Sequence, residues 1–282
     1  MDTKENPYRI KKTLEEKKAD DIVIHTTQET SSQAKFSNNK ISIIQNWDSL
    51  AVTVFIAIKK KIATTTIKDF DDKSINTAIT NLITFANKTQ PNNEFRGTAK
   101  GPFTYKHIDD TYDPRWHPIN PVDIAEKSIN KSLASGAKRC AGLAEIHYAN
   151  SHLLTNHNVD TEHQGTLYYL SIRALCDKYA SGHSNATSRI YTKLPYLHSA
   201  EEAGTIATQS KNPETLAPGK YDVLFSPLAI APLIDTMGNA ASIFNVEAGL
   251  SYFTTSLNKT IAPPTLTLAD DPTTPNTAGA LP

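Results

Sequence analysis

Five β-type runs crowd the stretch between Asp21 and Thr66, and their spacing constrains the fold more than any other feature of this chain. They lie at 21–25, 33–36, 40–45, 50–58 and 61–66. Clusters of Asn, Asp, Ser or Lys of turn length separate neighbouring runs, which predicts an antiparallel meander. A helix is expected before it over 8–18, with Tyr8, Ile10 and Leu14 on one apolar stripe. Another is expected after it. Asp71 and Asp72 fill a first turn there, and Ile75, Ala78, Ile79, Leu82, Ile83, Phe85 and Ala86 recur at helical spacing. Helix, meander and helix together make an N-terminal α+β domain over residues 1–90.

Residues 91–121 hold Pro91, Pro102, Pro114, Pro118 and Pro121 with Gly97 and Gly101, and read as a linker. Pro121 then stands in the first turn of a helix with Ile124, Ile129 and Leu133 on its apolar face, ended by Gly136. Strands are expected at 140–148, 153–159, 166–176 and 188–191, followed by a short helix over 199–208 with glutamates in its first turn. This gives a β-rich middle region over 122–212. A last region, 213–282, opens with a turn at Pro218-Gly219 and a buried strand over 221–225. A helix is expected from Ser226 or Pro227 to about Asn245, with Leu228, Ile230, Leu233, Met237, Ala240, Ala241, Ile243 and Phe244 as its apolar positions. The expected class is α+β throughout, with the second part β-rich.

Charge and composition exclude some functions. With 29 basic and 29 acidic residues the formal net charge is zero, so no global field draws in nucleic acid or an anionic membrane. The chain is charged from Asp2 onward with no apolar segment behind it, so no secretory signal is expected. No run of about 18 apolar residues exists to cross a bilayer. Cys140 and Cys176 lack CxxC spacing and read as buried, reduced thiols, with the cytoplasm as the expected compartment.

The stretch 218–271, PGKYDVLFSPLAIAPLIDTMGNAASIFNVEAGLSYFTTSLNKTIAPPTLTLADD, resembles the core of the TldD/PmbA family, which includes proteins called modulators of DNA gyrase. Two further pieces carry the likeness: NNKISIIQNWDSLAVTVFI at 38–56, inside the helix–meander–helix, and the pair Asn150-Ser151. Zinc-bearing members of the family carry HExxxH on the helix after the Pro-Gly strand. Counted back from Ser251 without a gap, the first histidine falls on Ile234, the glutamate on Asp235 and the second histidine on Asn239. Isoleucine has no lone pair, an asparagine amide oxygen is a poor zinc ligand, and Asp235 is one methylene shorter than glutamate.

The resemblance is therefore to the PmbA, or TldE-like, branch, whose members lack the motif and pair with a zinc-bearing TldD-like subunit. It implies no metal in this chain and zinc in the partner, and a role in holding a peptide substrate for proteolysis as an added strand. Asp235, Asn239, Thr265 and Thr267 are the expected substrate contacts, on the helix and on a strand over 265–269. Family members continue beyond the point where this sequence stops, so a C-terminally truncated fragment is expected. A homodimer, a peptide-binding or chaperone-like module without proteolytic role, and a metal-dependent peptidase in its own right stand as alternatives.

The last of these would use His147, His152, His157 and His163, which fall within 17 residues. On a continuous strand their spacing sets His152 on the opposite face from the others, and no carboxylate or Cys completes a ligand pattern. Lys59-Lys60-Lys61 reads as a solvated hairpin turn rather than a phosphate patch, since no aromatic residues interleave it. Ser151 lacks the Gly-x-Ser-x-Gly surroundings of a nucleophile elbow. Cys140 follows Lys138-Arg139, but with no base beside it a core thiol is expected.

Overall fold

Strands β1 (Asp21–Ser37) and β2 (Lys40–Ile58) absorb four of the five N-terminal β-type runs, and β3 (Lys61–Ile67) is the fifth. The polar residues between the runs remain in the ladder, because each has a backbone partner on a neighbouring strand. These strands belong to a computed structural model that describes residues 5–280. Both hairpins turn on two residues in the left-handed region, Asn38 and Asn39 at φ 51° and 65° and Lys59 and Lys60 at φ 50° and 63°. Two-residue turns with positive φ match the right-handed strand twist, so the lysine triplet is a hairpin turn running into β3.

Three more strands, β4 (Arg139–Thr155), β5 (Asp160–Leu175) and β6 (Ser181–Ser188), complete one antiparallel sheet in the order β3-β2-β1-β4-β5-β6. The expected runs at 140–148 and 153–159 merge into one strand that ends at Thr155, leaving 156–159 as the turn to β5, and the run expected at 188–191 is displaced to β6. Small residues explain β6. Gly182, Ser184, Ala186 and Ser188 point inward, and a Cβ on Gly182 would sit 2.2 Å from the Ala203 carbonyl. The overlying helix backbone comes too close for anything larger.

Four helices serve the sheet: α1 (Asn6–Glu16), α2 (Asp72–Lys88), α3 (Pro121–Ala134) and α4 (Tyr196–Gln209). Asp71 caps α2, its Oδ1 accepting from Ser74 N at 2.9 Å. Asn120 caps α3, accepting from Val122 N at 3.0 Å ahead of Pro121. Asn120→Ala is expected to lower stability by about 1 kcal/mol in urea unfolding, the usual cost of a lost N-cap. Two apolar positions fall outside the core: Phe85 is 60% exposed and Tyr8 is 48% exposed. Helix α4 starts at Tyr196, which moves Glu201 and Glu202 out of the first turn, and Glu202 instead accepts from Ser184 Oγ at 2.6 Å.

The helices cover one sheet face in two pairs. Near one end, Ile10 and Leu14 of α1 and Ile75, Ile79 and Leu82 of α2 pack with Ile22, Ile24, Val54, Ile56 and Leu154. Near the other, Ile124 and Ile129 of α3 and Ala200, Ala203 and Ala207 of α4 pack with Ala34, Phe36, Ala144, Ile146, Tyr168 and Leu170. Along β1 and β4 both clusters draw on even-numbered residues, so they lie on the same face. Cys140 and Cys176 are buried and free, and burial raises the Cys140 thiol pKa. A terminal segment returns to the sheet. Asn276 Oδ1 accepts from Arg189 N at 2.8 Å, and the buried Arg189 guanidinium donates to the carbonyls of Thr277, Ala278 and Ala280.

The chain divides into two compact units: the sheet unit, running to Lys211 and including the segment from Thr273, and a second unit, Asn212–Pro272. Helices α5 (Pro227–Ala241) and α6 (Ile243–Glu247) are the regular elements of the second unit, and the single expected helix breaks at Ser242. The strands expected over 221–225 and 265–269 are absent. Tyr221, Val223, Leu224 and Phe225 are exposed, as are Leu228, Leu233, Ile243 and Phe244 of the expected helix face. Apolar composition alone does not make a strand; the backbone needs a ladder partner, and neither segment has one.

Candidate functional site

Helix α5 begins where Ser226 Oγ accepts from Ala229 N at 3.4 Å, and it carries Ile234, Asp235 and Asn239. Ile234 is half-buried, while Asp235 and Asn239 are exposed. One turn of helix brings the last two together, and Asn239 Nδ2 donates to the Asp235 carbonyl at 3.1 Å and to its Oδ2 at 3.3 Å. Asn245 Nδ2 donates to the Asn239 carbonyl at 2.7 Å, and Ser251 Oγ donates to the Ala240 carbonyl at 2.5 Å, tying α5 to the turns beyond it. This donor set does not fit zinc. One position offers no lone pair, one offers an amide already facing its neighbour, and a lone carboxylate cannot complete a tetrahedral site.

An apolar cavity of about 680 Å³ lies beside this helix, within the second unit. Met237, Ile243, Phe253, Leu257, Leu266 and Leu268 are among its lining residues. Thr265 and Thr267 are exposed and alternate with the two leucines that line it. Of the expected contacts, Asp235 and Asn239 are brought together, and none of Asp235, Asn239, Thr265 and Thr267 is part of the cavity wall.

The four clustered histidines are dispersed among separate partners. His147 Nδ1 meets Ser31 Oγ at 2.6 Å, His152 Nε2 meets Asp160 Oδ1 at 2.7 Å, and His157 Nε2 meets Asp21 Oδ1 at 3.0 Å. His163 is half-buried near Arg189, and desolvation followed by that charge depresses its pKa. Among the described residues no three His, Cys, Asp or Glu side chains converge as a metal site.

A second concavity, of about 260 Å³, lies in the sheet unit, on the helix-bearing face of the sheet. Its lining includes Thr26 and Gln28 of β1, Asn150 and His152 of β4, Asp160 and Glu162 of β5, and Tyr8 of α1. Strand register assembles it: Thr26 pairs with His152, Gln28 with Asn150, and His152 with Glu162. Tyr8 Oη donates to Asp160 Oδ2 at 3.0 Å, and Asn150 Nδ2 donates to Glu162 Oε1 at 2.7 Å. Burial pushes the Asp160 carboxyl up, but hydrogen bonds from His152 and Tyr8 outweigh it and hold the group below the usual carboxylate range. Thr26 is 8% exposed, and neither its Oγ1 nor Asn150 Oδ1 has a partner among the described residues. Leaving such a buried atom unpaired costs about 1–3 kcal/mol.

Sequence reasoning missed this groove, having singled out Tyr8, Asn150 and His152 for other reasons. The available signal was parity. Even positions are apolar at Ile22, Ile24, Ala34 and Phe36 but polar at Thr26, Gln28 and Thr30.

Comparison with known proteins supports the fold and, over one segment, the sequence family. Residues 218–282 match the family model described as the PmbA/TldA metallopeptidase C-terminal domain. A protein of Bacteroides thetaiotaomicron, named as a candidate modulator of DNA gyrase, has a similar structure with TM-score 0.84 and 16% identity, over 100% of this chain and 67% of that one. One of Thermotoga maritima, also named as a candidate modulator of a DNA gyrase, gives TM-score 0.79 and 16% identity over 89% of this chain and 58% of that one. TldE from Thermococcus kodakarensis gives 0.72 and 16% over 88% of this chain and 57% of its own. The chain thus spans between 57% and 67% of the length of these three structures. None of the curated proteins compared matches its sequence.

Proposed function

We propose that this chain is a member of the TldD/PmbA family, whose C-terminal domain model its residues 218–282 match, and that it is the non-catalytic subunit of a peptidase complex whose zinc resides in a TldD-like partner. One observation carries the reading: the helix that bears the metal motif in zinc-bearing members has Ile234, Asp235 and Asn239 in its place. Hydrolysis by metal-activated water needs imidazole or carboxylate ligands and a general base, and this helix supplies one short carboxylate. The apolar side chains exposed on the second unit support association with another protein surface, since soluble monomers seldom expose large contiguous apolar patches. A peptide or unfolded protein segment is the proposed substrate of the complex, and nucleic acid is not, given the zero formal net charge.

No helix among the described residues is long and apolar enough to cross a membrane. The proposed compartment is the cytoplasm, where two free, buried cysteines stay reduced.

The test is reconstitution with a zinc-bearing, HExxxH-containing homologue from the same organism. A stable complex that cleaves peptides, with activity tracking the partner's zinc, is the expected result. This chain alone is expected to retain no stoichiometric zinc after dialysis and to cleave nothing. Peptidase activity by the chain alone, or a partner that neither binds it nor changes activity in its presence, overturns the proposal.

A further inference from the structure

We infer that the groove on the helix-bearing face of the sheet is a binding subsite for a guanidinium group, such as an arginine side chain of a peptide. The groove offers oxygens in excess of donors. Asp160 and Glu162 are both carboxylates, and Asn150 uses its amide N–H on Glu162, which leaves its Oδ1 as an acceptor without a partner among the described residues. Thr26 Oγ1 is a second oxygen without a partner among the described residues, on a residue more than nine-tenths buried in the groove wall.

The charged and titratable neighbours are Asp160, Glu162, His152 and Tyr8, with Lys11 close enough to act on Asp160 electrostatically. A volume of about 260 Å³ exceeds by far the roughly 30 Å³ that one water occupies in the liquid.

Guanidinium fits this set better than a neutral amide. It is always charged, accepts nothing, and presents five N–H donors in a planar fork that can meet a carboxylate and a neighbouring amide oxygen together. Tyr8 adds an aromatic wall, its ring 5.8 Å from that of His152, against which the planar group can lie. The inference does not rest on the peptidase reading, because the site belongs to the sheet unit and is tested on the chain alone.

The probe is acetyl-Gly-Arg-Gly-amide, titrated into the purified 282-residue chain while backbone amide shifts are followed by NMR. Saturable shifts confined to residues of β1, β4, β5 and α1 that border the groove are expected. The citrulline peptide, neutral and of the same shape, is expected to bind about tenfold or more weakly. Glu162→Gln keeps the side-chain length and its acceptor for Asn150 while removing charge, and is expected to weaken the arginine peptide to a similar degree. Gln28→Ala, at an exposed position of the wall, gives a second variant whose fold is not at risk, with weaker binding expected. Equal binding of the two peptides, shifts that never saturate, or unchanged affinity in a folded Glu162→Gln variant would overturn the assignment.

Discussion

Tyr168→Ala is expected to destabilise the sheet unit by about 3–5 kcal/mol, the range for removing a large buried aromatic side chain. Tyr168 is fully buried on β5, its ring tilted against Tyr191 at a centroid distance of 5.5 Å. It belongs to the cluster that joins α3 and α4 to the sheet, so its loss opens a cavity that the paired strands cannot collapse to fill. Burial, followed by the nearby Asp113 carboxylate, raises the pKa of its hydroxyl. Tyr168→Phe keeps the ring and is expected to retain most of the stability. Trp47 and Trp116 both lie in the sheet unit, so tryptophan fluorescence in a urea titration reads this unit without contribution from the other. A Tyr168→Ala midpoint indistinguishable from that of the natural chain would refute the packing argument.

The second large effect is expected at Asp113, whose side chain is 1% exposed. Its carboxylate accepts from Tyr191 N at 3.0 Å and from Arg115 N and Nε, each at 3.1 Å. Its own backbone N–H donates to Thr166 Oγ1 at 2.8 Å, and that hydroxyl donates to the Arg189 carbonyl at 2.7 Å. One residue therefore fastens the irregular segment before α3 to β5 and to the turn after β6. Asp113→Ala strands a main-chain donor inside the protein and is expected to cost about 2–4 kcal/mol.

Burial pushes this carboxyl up, but the hydrogen bonds from Tyr191 and Arg115 more than compensate and hold it below the usual range. Because the folded-state pKa is depressed, the contribution is complete above the ordinary Asp value of about 3.9 and is lost as pH falls through the folded value. The stability gap between the natural chain and Asp113→Ala should therefore be constant from neutral pH to about pH 5 and shrink below about pH 4. Asp21 and Asp160 are depressed in the same direction, so acid stability of the whole sheet unit should fall over that same window. A gap that persists unchanged at low pH would show that the carboxylate charge plays no part.

Much of the sheet unit was legible from residues alone. The helices expected to open at Asp71-Asp72 and at Pro121 do begin there, and Ile10, Leu14, Ile75, Ile79 and Leu82 are buried as their spacing predicts. Strand lengths were not legible. The polar interval 26–32 looks like a break in sequence, yet β1 runs through it because β2 and β4 flank it with backbone partners. The second unit shows the converse error. Its segments 221–225 and 265–269 have strand composition, but no neighbour supplies the ladder.

Side-chain chemistry by itself determined that Ile234 and Asn239 cannot stand in for zinc-binding histidines, because a missing lone pair is missing in any fold. It also determined the antiparallel, hairpin-linked character of the first strands, since turn residues at Asn38, Asn39, Lys59 and Lys60 act locally. Only the tertiary structure decided which residues meet. Thr26 and His152 are separated by more than half the mapped sheet sequence, and they touch one groove because β1 and β4 pair in one register. A shift of that register by a single residue would turn every one of these side chains to the other face, and no local pattern encodes which register wins.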